Sequence, residues 1–184
     1  MENKPGTDSK IKSILLDVIY GAVIAYGFTF FDKASDFTDY FRFFFAYTVF
    51  IVDFIYVHQK YWDANYKNIF FVLDIGIIFS ISRLLFLSTA STPDYYLWLS
   101  ILFGCYVAWD VSAKFCKLSF ENDWRYSIGG DLFACIAFLA FWKPPSIITI
   151  LSDSLFLTIG TLIVYFIARL TWSKKAPILK VKTK

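Results

Sequence analysis

Each of six apolar blocks of the chain holds an aspartate well inside it: Asp17, Asp53, Asp74, Asp110, Asp131 and Asp153. A carboxylate inside an apolar block is costly to bury and marks a site hypothesis. Such groups bind cations, relay protons, or tie helices together through hydrogen bonds. Asp17 stands out for the residues after it, Val18-Ile19-Tyr20-Gly21-Ala22-Val23-Ile24-Ala25-Tyr26-Gly27-Phe28. Steps of three or four from Asp17 place Tyr20, Gly21, Ile24, Ala25 and Phe28 on one helix face. Gly21 and Ala25 let a second helix approach closely. Ile24 and Phe28 are bulky and apolar. Repeated around an oligomer axis, this face would make a charged mouth below a hydrophobic constriction that gates by dewetting. The plainer expectation is that it packs on another helix of the same chain.

The elements that must position these residues read as membrane spans. The chain has 184 residues, 58% of them hydrophobic, 22% aromatic and 18% charged. A soluble domain runs about 45–50% apolar and about 25% charged. A span needs about 20 mostly apolar residues, and blocks at 13–31, 38–58, 68–89, 95–115, 126–143 and 147–170 meet or approach that. The expected fold is all-α: a six-helix transmembrane domain over 1–172 and a basic tail over 173–184. Lys143-Pro144-Pro145 closes the fifth block, since a Pro pair cannot continue a helix, and forms the turn into the sixth.

Orientation follows from Lys and Arg in the short loops. With both termini cytoplasmic, only Lys33, Arg42 and Lys143 of the 18 basic residues fall outside, and Arg83 lies within a block. The remaining basic residues all fall inside. Tyr61, Trp62, Trp124, Trp142 and Trp172 sit near the expected interfaces. The first thirteen residues are polar and the first apolar block is too long for a signal peptide, so the expected location is a cell membrane, of prokaryotic plasma-membrane type.

In that topology Asp17, Asp53, Asp74, Asp110 and Asp131 share a layer in the inner third of the membrane. Their expected company is water, Tyr or Ser, or the nearby lysines. Asp153 lies towards the outer side at the depth of Arg83, so an Arg83–Asp153 ion pair is expected to clamp spans three and six. His58, the only histidine, sits at the inner end of span two. It is a hydrogen-bonded end residue or a candidate pH sensor, because imidazole titrates near neutral pH. Cys105, Cys116 and Cys135 lie in or beside apolar blocks without metal-ligand spacing and read as packing residues.

Enzyme classes find little support. One His and no Cys/His cluster oppose a metal hydrolase or haem protein. There is no Gly-rich phosphate loop, no Tyr-Asp with Gly-x-Gly-Asp pair for intramembrane aspartyl proteolysis, and no Lys in the last span to hold retinal. No catalytic residue, cofactor or metal is expected, and the charge pattern gives no footing for nucleic acid. Three readings remain: a passive cation channel, a proton-coupled transporter using the intramembrane aspartates, and a membrane scaffold or accessory subunit in which they are structural.

Asp17–Ala25 resembles the first helix of the prokaryotic and lysosomal six-helix potassium-channel family that carries a Phe-Ser-Asp motif there. Leu15-Leu16 stands here in place of Phe-Ser. Tyr56-Val57-His58-Gln59-Lys60-Tyr61 looks like that family's aromatic-histidine end of helix two, followed by a short loop and an amide-led third span, Asn68-Ile69-Phe70-Phe71. The likeness covers spans one to three. It implies a homo-oligomer, a tetramer, with span one around the axis and monovalent cations, potassium among them, passing through. It also implies that Asp17 joins a helix-one polar network, Ile24 the constriction and His58 a network near the inner face.

Overall fold

The structure, a computed structural model, describes residues 7–60, 67–90, 93–116, 124–142 and 154–173, with side chains over 11–55, 67–90, 93–116, 127–142 and 158–168. The described residues form six helices: α1 (Thr7–Phe31), α2 (Phe37–Lys60), α3 (Asn68–Leu87), α4 (Asp94–Phe115), α5 (Trp124–Trp142) and α6 (Ser154–Ser173). The all-helical expectation holds. Helix α1 starts six residues before the first apolar block, because its polar opening turns need no membrane to be helical. The Pro144-Pro145 turn, Asp153 and the basic tail lie outside the described residues.

Among the described residues, three helices are long and apolar enough to cross a membrane: α1 from Ile11, α3 and α4. Helix α2 has the length but carries Asp39, Arg42, Asp53 and Lys60 along it. The apolar cores of α5 and α6 are shorter among the described residues, at Ser127–Trp142 and Thr158–Ala168. The outer surface is apolar, with Ile14, Val18, Phe79 and Phe166 all more than half exposed. So many exposed apolar side chains suit lipid better than water.

Local signals set the helix ends. At the start of α2, the Asp39 backbone N–H donates to Asp36 Oδ1 at 2.9 Å, while Asp39 Oδ2 accepts the Ser35 N–H and Oγ, each at 3.1 Å. This reciprocal arrangement satisfies amides that open a helix. Helix α3 stops at Ser88, whose hydroxyl donates to the Leu85 carbonyl at 2.7 Å.

Neighbours in sequence pack antiparallel, and their registers can be read from the contacts. Between α1 and α2, Tyr20 meets Asp53, Tyr47 donates to the Ile24 carbonyl, and Phe31 meets Tyr40. Between α3 and α4, Asp74 meets Trp109 and Phe79 meets Trp98. Between α4 and α5, Asp110 meets Ser127, Ser100 meets Cys135, and Tyr96 meets Phe141. Helix α1 also runs parallel to α3, from Lys12–Asn68 at one end to Phe30–Phe86 at the other. Helix α6 packs on α5, where Phe141 faces Gly160, and reaches α2 through Phe45–Tyr165.

Small residues set the close crossings at α4. A Cβ on Gly76 would meet Cys105 Sγ at 3.9 Å, and one on Gly104 would meet Cys135 Sγ at 3.8 Å. Both are ordinary van der Waals distances, so the glycines and thiols pack without crowding. The three cysteines are thiols in packing positions, as their placement in apolar blocks suggests.

Candidate functional site

Two features compete as the site: a belt of carboxylates inside the bundle and the open face of α1.

Of the six aspartates singled out above, Asp53, Asp74, Asp110 and Asp131 are buried. Asp53 accepts the Tyr20 hydroxyl at 2.6 Å, joining α2 to α1. Asp74, with no exposed surface, accepts the Trp109 indole N–H at 3.0 Å, joining α3 to α4. Asp110 Oδ2 accepts the Ser127 hydroxyl, joining α4 to α5. Asp131 lies one helical turn beyond Ser127 on α5. Carrying the antiparallel and parallel registers across the bundle puts these four and Asp17 within about four residues of one level, roughly 6 Å along the axis. The belt lies at the end holding the α2–α3 and α4–α5 connections. Lys12 Nζ donates to Asn68 Oδ1 there at 2.6 Å.

The donors are a phenol, an indole and a hydroxyl on neighbouring helices. A carboxylate that accepts such bonds can stay in an apolar interior, because charge-assisted hydrogen bonds replace part of its lost hydration. Each of these three bonds also fixes one helix pair in register. Tyr20 illustrates this: its ring lies edge-on to Phe50 and Phe54, with centroids 5.2 and 5.0 Å away. Tyr20→Phe should keep that packing and remove only the donor to Asp53. The expected loss is about 1.5–3 kcal/mol of stability, read as a lower thermal midpoint in detergent; an unchanged midpoint would show that the bond contributes nothing net.

That placement corrects one sequence expectation. Tyr20 does not lie on the outward face with Asp17, Gly21, Ile24 and Phe28. It belongs to the buried stripe Leu16, Tyr20, Val23, Gly27 and Phe30 that meets α2 and α3. At three residues from Asp17 it sits on the edge of both faces, and the hydroxyl's bond to Asp53 draws it inward.

The rest of the expected face is exposed. Asp17 and Gly21 are exposed, a Cβ on Gly21 would meet nothing within 4 Å, and Ile24 and Phe28 are 39% and 60% exposed. Phe28 touches Tyr47 of α2 with its ring, centroids 5.3 Å apart. The face therefore runs from a carboxylate, over a flat patch at Gly21 and Ala25, to two bulky apolar side chains.

Arg83 lies over the rings of Phe86 and Trp98, at 5.0 and 5.5 Å from their centroids. Asp153, its expected partner, lies outside the described residues, as does the side chain of His58, whose backbone falls in α2. Among the described residues no group of three or more His, Cys, Asp or Glu is arranged to hold a metal ion.

Sequence reasoning reached the carboxylates but not all their donors. Trp109 adjoins Asp110, so the level of Asp110 could have pointed to it; Ser127 is one turn before Asp131. Burial of Arg42 left no such signal, since its position near a helix end suggested a loop-side charge.

The chain matches no family model, no curated protein and no solved structure.

Proposed function

We propose that the chain is a multi-pass membrane protein with six spans and both termini cytoplasmic, assembling as a homo-oligomer that passes monovalent cations, potassium among them, along a path lined by α1. The observation that carries this reading is the exposed face of α1, with open space at Gly21 and with Ile24 and Phe28 turned outward. Asp17 stands at its end, exposed in an otherwise apolar stretch. Whatever it meets within its own chain, an exposed carboxylate there suits water or a protein surface better than lipid. Packing several copies around an axis supplies both, and the Gly21/Ala25 patch permits the close approach this needs. Ile24 and Phe28 then form the narrow part, and Asp17 concentrates cations at the inner mouth. The partial likeness of Asp17–Ala25 to the potassium-channel family supports the same arrangement.

The test is current through protein reconstituted in a bilayer. Wild type should conduct and reverse near the potassium potential. Ile24→Asn should wet the constriction and raise conductance several-fold. An unchanged current in that variant removes α1 from the path.

The buried belt favours a second reading, a proton-coupled carrier in which Asp74 or Asp131 takes up the proton. Solute uptake that requires a pH gradient and vanishes with Asp74→Asn or Asp131→Asn would establish it. A protein that shows neither current nor uptake, in which Asp17→Asn lowers only expression, is a scaffold whose aspartates are structural.

A further inference from the structure

At the end of the bundle opposite the carboxylate belt, a buried cation has unmade hydrogen bonds. Arg42 of α2 is 8% exposed, and its Nε and Nη1 are enclosed with no acceptor in reach among the described residues. The guanidinium stands over the rings of Tyr95 and Tyr96, at 5.6 and 6.0 Å from their centroids. Tyr95 donates its hydroxyl to the Arg42 carbonyl at 2.9 Å, which pins the first turn of α4 to this part of α2. Among the described residues, the acidic groups nearby do not answer the charge. Asp39, one turn earlier on α2, has its Oδ2 taken up by Ser35. Asp94 is exposed at the start of α4.

The first turn of α4 adds to the imbalance. Pro93 occupies its N-cap and provides no side-chain hydrogen bond. The start of α4 carries the positive end of the helix dipole, and the Tyr96 N–H there is taken by the Pro93 carbonyl at 3.0 Å. The ring faces stabilise the cation but offer no oxygen to its N–H groups. A buried guanidinium with unmade bonds among the described residues, set beside the start of a helix, is complementary to an oxyanion.

We infer that Arg42, with Tyr95, Tyr96 and the start of α4, forms a binding site for a phosphate-class oxyanion. The guanidinium's planar N–H groups suit tetrahedral phosphate oxygens better than an ammonium does, while the tyrosine rings hold its plane. The phosphate belongs either to a lipid headgroup at this end of the helices or to a free anion. The site is independent of the α1 path and does not need that path to exist.

Two probes distinguish the sources. Inorganic phosphate is titrated against the full-length protein in a neutral detergent, at constant ionic strength held with chloride, and the thermal midpoint is followed. Separately, the protein is taken from nanodiscs containing phosphatidylglycerol and its retained lipid counted by native mass spectrometry. A free-anion site raises the wild-type midpoint by several degrees as phosphate saturates it, since a ligand binding only the folded form stabilises it. A headgroup site leaves that midpoint flat and instead retains phosphatidylglycerol. In either case Arg42→Met should weaken binding about tenfold or more, the value of losing one charge-assisted hydrogen bond. Arg42→Met should still fold, because an apolar replacement of a buried charge is tolerated when no counter-charge is left behind. If it does not fold, Arg42→Lys keeps the charge, loses the planar donors and should show the same weakening. Absence of both a phosphate response and lipid retention in wild type overturns the proposal. So does binding that survives unchanged in Arg42→Met or Arg42→Lys.

Discussion

Trp109→Phe should lower the stability of the folded chain by about 2–4 kcal/mol. Two losses combine. The indole N–H no longer reaches Asp74 Oδ1, 3.0 Å away in the native protein, and hydrogen bonds to charged acceptors are worth about 1.5–3 kcal/mol. Phe is also smaller than Trp, so the contact with Phe70, now at a centroid separation of 5.2 Å, loosens and leaves space. Asp74 has no exposed surface through which water could replace the lost donor. A double-mutant cycle separates the two contributions. In an Asp74→Ala background, Trp109→Phe should cost only the packing share, leaving a coupling of about 1.5–3 kcal/mol. The measurement is denaturant or thermal unfolding in detergent for all four proteins. A coupling near zero would mean that this bond does not hold α3 to α4, and that the belt is not the bundle's internal tie.

Gly27→Leu is expected to loosen α1 from the bundle. A Cβ at Gly27 would stand 2.5 Å from the Tyr47 hydroxyl oxygen, 3.0 Å from Leu85 Cδ1 and 3.1 Å from Tyr47 Cζ. Glycine is favoured here by closeness, not by backbone conformation. Tyr47 has little freedom to withdraw, because its hydroxyl donates to the Ile24 carbonyl at 2.8 Å and its ring packs on Phe43 at a centroid distance of 4.8 Å. Gly27→Ala therefore sets two effects against each other. Helix propensity improves by about 1 kcal/mol, while displacement of the Tyr47 hydroxyl costs a hydrogen bond of about 0.5–1.5 kcal/mol. The net change should be within about 1 kcal/mol of zero. Leu has no such compensation, and overpacking on this scale costs about 1–3 kcal/mol. Parallel unfolding curves for wild type, Gly27→Ala and Gly27→Leu would check the ranking. If Leu is tolerated as well as Ala, α1 is not seated closely against α2 and α3. The same variants bear on the proposed path, since loosening α1 would alter conduction without touching Ile24 or Phe28.

The six helices were legible from long apolar blocks separated by short polar ones. The helix boundaries observed for α2, α4 and α5 fall within two residues of the expected blocks, while α1 extends earlier into its polar opening. The level of the carboxylates was legible too. Counting residues along a helix fixes axial position, so Asp53, Asp74, Asp110 and Asp131 could be assigned to one layer before any contact was known. The donors are less accessible: helical spacing puts Tyr20 on the α1 face with Asp17, whereas its hydroxyl donates to Asp53 on the other side.

What the sequence determines by itself is thus the axial coordinate: which segments are helices, and how far along each a charged residue lies. The tertiary structure decides the rotational one. In a soluble helix the polar face tells which side meets water, but here lipid and core are equally apolar, so periodicity carries little sign of inside and outside. Leu16 and Leu15 are the same residue type, yet the first is fully buried and the second 46% exposed. Only packing sets Tyr20 inward and Ile24 outward, brings Trp109 to Asp74, and encloses Arg42 between α2 and the start of α4.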